Sequence, residues 1–323
     1  MLKRIFHDKG GVWTIAGLVL LFLFPLFLSR FYVYLTSMIL LTGLLATSLN
    51  LPLGYGGIYQ FHHAVFYGAG AYATALMIQK SGLSPWLGFI VGPLVAALLS
   101  LIMGLICIRL SKLYFGMLQL SLGSLVWIVI YRWYSFTGGD NGISGIPMPD
   151  VISSQKATYY FVLLITAVSV FCMYRIIKSP FGRVLQGIRD NPVRSAMIGI
   201  NVHRHQLLVL VIAGFFAGVA GSLFVVVETS VFPDMLFWTL SLEILIMCLL
   251  GGMFTFFGPF LGAAIIICMR TFISGYTNYW TLPLGILMML VIFFLPDGIL
   301  GYVEEKLHKG FREKAMEPAI KES

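Results

Sequence analysis

Residues 86–108 read WLGFIVGPLVAALLSLIMGLICI, a run without a single charged side chain. A helix that crosses a bilayer needs about 20 largely apolar residues, so this stretch is long enough to span. Further apolar stretches flank it at about 12–28, 31–49, 61–79, 113–131, 158–177, 207–227, 239–254, 258–276 and 280–296. Of the 323 residues, 59% are hydrophobic and only 11% are charged, against roughly a quarter charged in soluble domains. That balance excludes a soluble protein and leaves no room for a separate soluble catalytic domain. The expectation is an all-α, polytopic membrane protein of about ten transmembrane helices, with one transmembrane domain over 1–301 and a charged cytoplasmic tail over 302–323. The stretches 239–254 and 258–276 are the least regular. Gly251, Gly252, Gly258 and Pro259 leave a tight turn between them, and the first is short for a full crossing.

Basic residues report topology, because cytoplasmic loops are enriched in Lys and Arg. With the N-terminus inside and the stretches alternating, Lys3, Arg4, Lys9, Arg109, Lys112, Arg175, Lys178, Arg183, Arg189, Arg194, Arg204, Lys306, Lys309, Arg312, Lys314 and Lys321 fall inside. Arg30, Lys80, Arg132, Lys156 and Arg270 fall outside. The split of sixteen to five accounts for all 21 basic residues and predicts both termini in the cytoplasm. The net charge of +8 therefore reads as topology, with no nucleic-acid partner implied. The first apolar stretch follows three basic residues like the start of a signal peptide, but no small-x-small cleavage site follows, so it reads as a retained span. Cys107, Cys172, Cys248 and Cys268 each lie inside an apolar run without metal or redox spacing and read as small packing side chains. No metal or cofactor is expected.

Ionisable groups deep in a span mark proton or ion paths. Glu228, Glu243, Arg270, Arg109 and Asp297 all lie near the ends of the stretches, so the usual relay of a proton-coupled transporter is missing. The segment Asn50-Leu51-Pro52-Leu53-Gly54-Tyr55-Gly56-Gly57-Ile58-Tyr59-Gln60-Phe61-His62-His63 is uncharged at neutral pH, yet its proline and three glycines disfavour a continuous helix. Irregular backbone is tolerated at membrane depth where protein buries it or water reaches it, and broken helices line substrate pathways. The alternative is a short cytoplasmic turn. His62 and His63 read either as a hydrogen-bonded structural pair or as pathway residues. Adjacent helical positions face apart, so they form no metal site alone.

Between Lys178 and Arg204, Ser179-Pro180 and Asn191-Pro192 each place an N-cap residue before a proline at the first helical position. Two short helices are predicted. Phe181, Val184, Leu185 and Ile188 make one apolar face, Val193, Ala196 and Met197 a smaller stripe, and Gly199 stands where a C-terminal cap belongs. Such helices either rest on headgroups and the protein's own spans or dock into a partner's groove. Gly214, Gly218 and Gly221 give a small-residue face for close helix packing. The outer run from Thr137 to Pro147 is too glycine-rich for a helix and reads as a docking lip or a flexible loop. No P-loop, HExxH or GxSxG motif occurs, so a nucleotide site for any ATP-driven work would lie on another chain.

Four separated segments resemble the inner-membrane permease subunits of branched-chain amino acid ABC importers, in particular the longer, LivM-type permease. They are Asn50-Leu51 through Gly54-Tyr55, Gly57, His63-Ala64, Phe66, Gly68 and Gly70-Ala71-Tyr72; Thr137-Gly138-Gly139 with Asn141-Gly142; Phe181-Gly182-Arg183 to Arg189-Asp190 with Gly199-Ile200-Asn201; and Gly251-Gly252 with Gly258-Pro259 and Gly262. Phe294-Leu295-Pro296-Asp297-Gly298 also fits. The resemblance implies a multi-pass subunit of the bacterial plasma (inner) membrane that makes no covalent chemistry and has no ATP site of its own. It implies three kinds of partner besides the bilayer: a second homologous permease, two cytoplasmic ATP-binding subunits and an extracytoplasmic solute-binding protein. The broken segment supplies the candidate substrate-pathway residues Asn50, Tyr55, Gly56, Gly57, Gln60, His62 and His63. Phe181, Gly182, Arg183, Arg189, Asp190 and Gly199 fall to ATPase coupling. Where relatives have Gly-Gln-x-Ser-x-Gly-His, this chain has Gln60 and His62 in place of the serine and one glycine. The solute is then a branched-chain or other small hydrophobic amino acid, with urea or short amides as alternatives; an ion-coupled secondary transporter is the reading from another class.

Overall fold

The computed structural model describes residues 21–26, 28–80, 84–110, 112–152, 154–276, 281–294, 298–302 and 306. Lys3, Arg4, Lys9, Lys309, Arg312, Lys314 and Lys321, most of the first apolar stretch, Leu295-Pro296-Asp297 and nearly all of the tail lie outside the described residues.

Helices occupy every one of the nine later apolar stretches: α1 (Arg30–Asn50), α2 (Ala64–Lys80), α3 (Pro85–Cys107), α4 (Lys112–Arg132), then, after a single turn α5 (Tyr134–Thr137), α6 (Gln155–Lys178). The amphipathic α7 (Pro180–Asp190) and α8 (Pro192–Met197) precede α9 (Val202–Glu228), α10 (Trp238–Gly251), α11 (Gly258–Ile273) and α12 (Thr281–Phe294). The protein is all-α and polytopic, but ten apolar stretches do not make ten full crossings among the described residues. Five helices are long and apolar enough to span: α1 with the turn that follows it, α3, α4 from Tyr114, α6 and α9. At 14 residues, α10 rises about 20 Å, well short of a bilayer core of about 30 Å.

Glycine decides where the helices meet. A Cβ on Gly70 would lie 2.5 Å from the Gly218 Cα, one on Gly218 would strike Ala96 and Pro93, and one on Gly221 would strike the Tyr67 carbonyl oxygen. The backbones of α2, α3 and α9 therefore touch, as small-xxx-small faces allow. Polar groups cross-link the same junction: the Thr74 and Ser222 hydroxyls lie 2.8 Å apart, Thr74 Oγ1 also donates to the Gly88 carbonyl at 3.1 Å, and Ser100 Oγ donates to the Leu210 carbonyl at 2.7 Å. Around this frame, α1 packs on α6, α9, α10 and α11. Gly251, Gly258 and Gly262 bring α10 and α11 together, backbone on backbone.

Two interruptions enter the body of the protein from opposite ends. After α1 the chain makes a π-helical turn, Leu51–Tyr55, and leaves helical conformation until Ala64. After α9 it passes through a two-residue strand (Ser230–Val231) and a 3-10 turn (Pro233–Leu236) before α10 begins. The strand pairs antiparallel with Ile143–Ser144, with Ile143 opposite Val231, which fastens the glycine-rich 137–147 loop to the end of α9. That loop holds Gly138, Gly139, Gly142 and Gly145 at positive φ, a conformation L side chains avoid. The order long helix, break, short helix, next helix thus occurs twice, at α1–α3 and α9–α11, in opposite directions.

Candidate solute pathway and coupling region

The π turn forms because Pro52 has no N–H to give an i→i−4 bond. Gly56 N donates to the Leu51 carbonyl at 3.2 Å and Ile58 N to the Pro52 carbonyl at 2.8 Å, and Gly57, at φ +66°, turns the chain out of the helix. Single π turns of this kind are found disproportionately at functional sites. The π turn is buried: Asn50, Tyr55 and Gly56 are buried, as are Gln60, His62 and His63, while Gly57 and Phe61 are half-buried and Tyr59 is exposed. Asn50 Nδ2 donates to the Thr255 carbonyl at 3.0 Å, tying the end of α1 to the α10–α11 turn. Gly54 lies against the Met253 carbonyl.

The adjacent histidines have different surroundings. His63 Nε2 lies 2.8 Å from Ser48 Oγ and its Nδ1 lies 2.9 Å from Gln60 Oε1, so both ring nitrogens are satisfied inside the chain. Neither ring nitrogen of His62 finds a partner in another residue, and Gln60 Nε2 and Asn50 Oδ1 are likewise buried without one. The His62 ring rests on α4 at Gly123, where a Cβ would strike it, and Phe61 rests in the same way on Gly116. Gln119, one helical turn from each glycine, is buried on that face with its Oε1 unpartnered. Where the segment leaves the π turn, a cavity of about 70 Å³ is lined by Gly57, Ile58, Tyr59, Ile108, Phe115 and Gln206.

Arg189 joins this region to α7. Its Nη1 donates to the Gly54 carbonyl at 2.8 Å, its guanidinium lies 5.2 Å from the Phe254 ring centre, and it pairs with Asp190 at 3.1 Å. Gly57 is backed by the Arg189 Cα at a spacing a side chain would not fit. One side chain therefore touches the π turn, the α10–α11 turn and its own helix end. The remaining residues expected to act in coupling divide by exposure. Gly182 is buried, with the Ile177 carbonyl where a Cβ would be, and Phe181 stacks on His205 at 5.7 Å, so both fix how α7 leaves α6. Arg183 and Asp190 face out, and Gly199 ends α8 at φ +88° in open space.

The apolar face of α7 is buried through Leu185 and Ile188, whereas that of α8 is not. Val193 is 62% exposed, Met197 82% and Ile198 73%. The stripe on α8 was legible in the sequence; its exposure was not, since six residues carry too short a pattern to show which way they face. Ser179 differs from expectation in donating to the Ile176 carbonyl at 2.6 Å and making no side-chain cap on α7, whereas Asn191 does cap α8, accepting from Arg194 N at 2.9 Å. Gln119 and Gly123 were missed because each reads as an ordinary member of an apolar helix. Their only sequence signal is the i, i+3, i+7 spacing of Gly116, Gln119 and Gly123.

A buried broken helix of uncharged polar residues, tied to an amphipathic helix pair at one end, belongs to a polytopic transport protein. Residues 31–294 match the family described as branched-chain amino acid transport system, permease component, and the chain belongs to that family. It is 27% identical to the high-affinity branched-chain amino acid transport system permease protein LivM of Escherichia coli K12, over 93% of this chain and 77% of that protein. It is 24% identical to a probable branched-chain amino acid transport permease protein LivM of Methanocaldococcus jannaschii, over 82% of this chain and 93% of that one. A shorter match, 26% identical over 26% of each chain, is to the guanosine ABC transporter permease protein NupQ of Bacillus subtilis. No solved structure matches the chain.

Proposed function

We propose that this chain is the permease subunit of an ABC importer that carries branched-chain or other small hydrophobic amino acids across the bacterial plasma membrane. Its transmembrane domain covers 1–301 and its charged tail 302–323, with both termini cytoplasmic, a topology supported by the sixteen-to-five division of basic residues. ATP is hydrolysed by two cytoplasmic partner subunits, and this chain supplies no ATP site. A second, homologous permease completes the path, and an extracytoplasmic binding protein delivers the solute.

The observation that carries the reading is the Arg189 to Gly54 hydrogen bond. It makes α7 and the broken helix one mechanical unit. The exposed Val193, Met197 and Ile198 beside it offer an apolar anchor to an ATPase groove. A shift of the docked helices would then move the backbone that lines the pathway.

The test is reconstitution with the two ATPases, the second permease and the binding protein. Met197→Asp should weaken ATPase association, and Arg189→Ala should leave association intact while lowering ATP-driven leucine uptake about tenfold, the scale of a coupling of 1–3 kcal/mol. Unchanged uptake and association in both variants would remove the coupling assignment. Uptake by the purified chain alone, driven by a sodium or proton gradient, would replace the ABC reading with secondary transport.

A further inference from the structure

The short helices α2 and α10 start beside each other and run in opposite directions. Ala64 N, the first of α2, donates to Ser241 Oγ in the first turn of α10 at 2.9 Å, and Gly68 lies against Leu236 just ahead of α10. Phe237, the residue before α10, lies 4.9 Å from Trp127 of α4. This meeting point is level with the middle of the spanning helices. Gly123, under His62, is about 16 Å along α4 from Lys112 and about 14 Å from Arg132 at 1.5 Å per residue. Two helix N-termini therefore converge near mid-membrane, each equivalent to about half a positive charge.

The polar side chains at this point are not consumed by the fold. His62 and Gln119 are both at least 97% buried, and both His62 ring nitrogens and Gln119 Oε1 lack a partner in another residue. A buried polar group left unmade costs about 1–3 kcal/mol, which an apolar pair of the same shape would avoid. Next to them, α4 is the least covered of the five spanning helices among the described residues. Its contact with the 60–63 segment runs through Gly116 and Gly123, where rings lie on bare backbone.

The geometry points to a mid-membrane binding site between α4 and the α2 and α10 N-termini for the carboxylate end of an amino-acid solute. The helix termini supply the positive field, a His62 ring N–H is free to donate to the carboxylate, and Gln119 Oε1, an acceptor, is free for the solute's ammonium. This site deepens the importer reading and rests on it. It sits one layer above the 70 Å³ cavity, with Phe61 on Gly116 between the two. Movement of α4 away from the glycines would join them. The occupant is a zwitterion bound with its carboxylate towards the two helix N-termini, which favour an anion, and its ammonium towards Gln119 Oε1.

The experiment uses the whole importer in proteoliposomes, with Cys107, Cys172, Cys248 and Cys268 replaced by serine. Gln119→Cys is compared with Leu125→Cys, which is 58% exposed on the outer side of the same helix, by reaction with a water-borne methanethiosulfonate. Thiols react as thiolates in water, so Gln119→Cys should react at least ~10-fold faster than a lipid-facing position. Leucine at ten times its Kd should slow that reaction about tenfold, and leucinamide, which lacks the carboxylate, should not. Equal rates at the two positions would overturn the site. Equal protection by leucine and leucinamide would overturn the carboxylate assignment. Failure of the unmodified importer to take up leucine with ATP would instead defeat the importer reading itself, so the two failures are distinct.

Discussion

The junction of α2, α3 and α9 and the seam between α4 and residues 60–63 are built in opposite ways. In the junction, small residues bring backbones into contact and the hydroxyls of Thr74, Ser222 and Ser100 all have partners. In the seam, two rings lie on bare glycines and the polar atoms of His62 and Gln119 go unpaired. Close-packed interiors transmit strain and resist displacement. A seam with unmet hydrogen bonds gains by admitting a polar guest. The junction is thus suited to be the fixed frame of the subunit and the seam its working surface.

The contrast fails first if the junction proves tolerant. Gly218→Leu, which drives a side chain into Ala96 and Pro93, should cost about 3 kcal/mol or more through overpacking. Thermal unfolding of the complex in detergent would register it, and an unaltered midpoint would break the comparison. The neighbouring histidines sharpen it next. His63→Phe removes the bond to Ser48 and leaves Gln60 Oε1 buried and unpaired, at about 2 kcal/mol. His62→Phe, which removes no bond to another residue and relieves a buried unpaired ring, should stabilise the protein by about 1 kcal/mol and yet lower leucine uptake. Equal stability losses at the two positions would erase the distinction between them. Thr74→Val should cost about 1 kcal/mol, the range measured for hydrogen bonds between membrane helices. Smallest is Tyr34→Phe, which loses the bond from the phenol to the Glu228 carboxylate at a partly exposed helix end and should change stability by about 0.5 kcal/mol or less.

The broken helix shows how far the sequence could be read. Pro52, Gly54, Gly56 and Gly57 announce that the helix cannot continue, and the chain does depart from it there. The same residues do not say that the departure is a π turn, or that it is buried against the 253–255 turn about 200 positions later. The 239–276 region behaves alike: its glycines predict a tight turn, while the half-length of α10 follows from the 229–237 chain entering the interior before the helix starts. At α7 the apolar spacing of Leu185 and Ile188 is enough to fix the buried face, because 11 residues give three turns of pattern. At α8 the pattern is equally apolar and yet exposed, because nothing among the described residues covers it.

Composition by itself determined that this is a polytopic α-helical membrane protein, since so few charged residues cannot solvate a surface and only helices satisfy the backbone of long apolar runs in lipid. Local sequence also determined where those helices break and which segment forms an amphipathic pair. The tertiary structure alone decided that Arg189 meets Gly54, that His63 is satisfied while His62 is not, and that Gln119 lies between Phe61 and His62. Each of those facts joins residues tens to hundreds of positions apart. The spacing rules of a helix or a strand act within a few residues, and only the packing of one element on another sets which polar groups find partners.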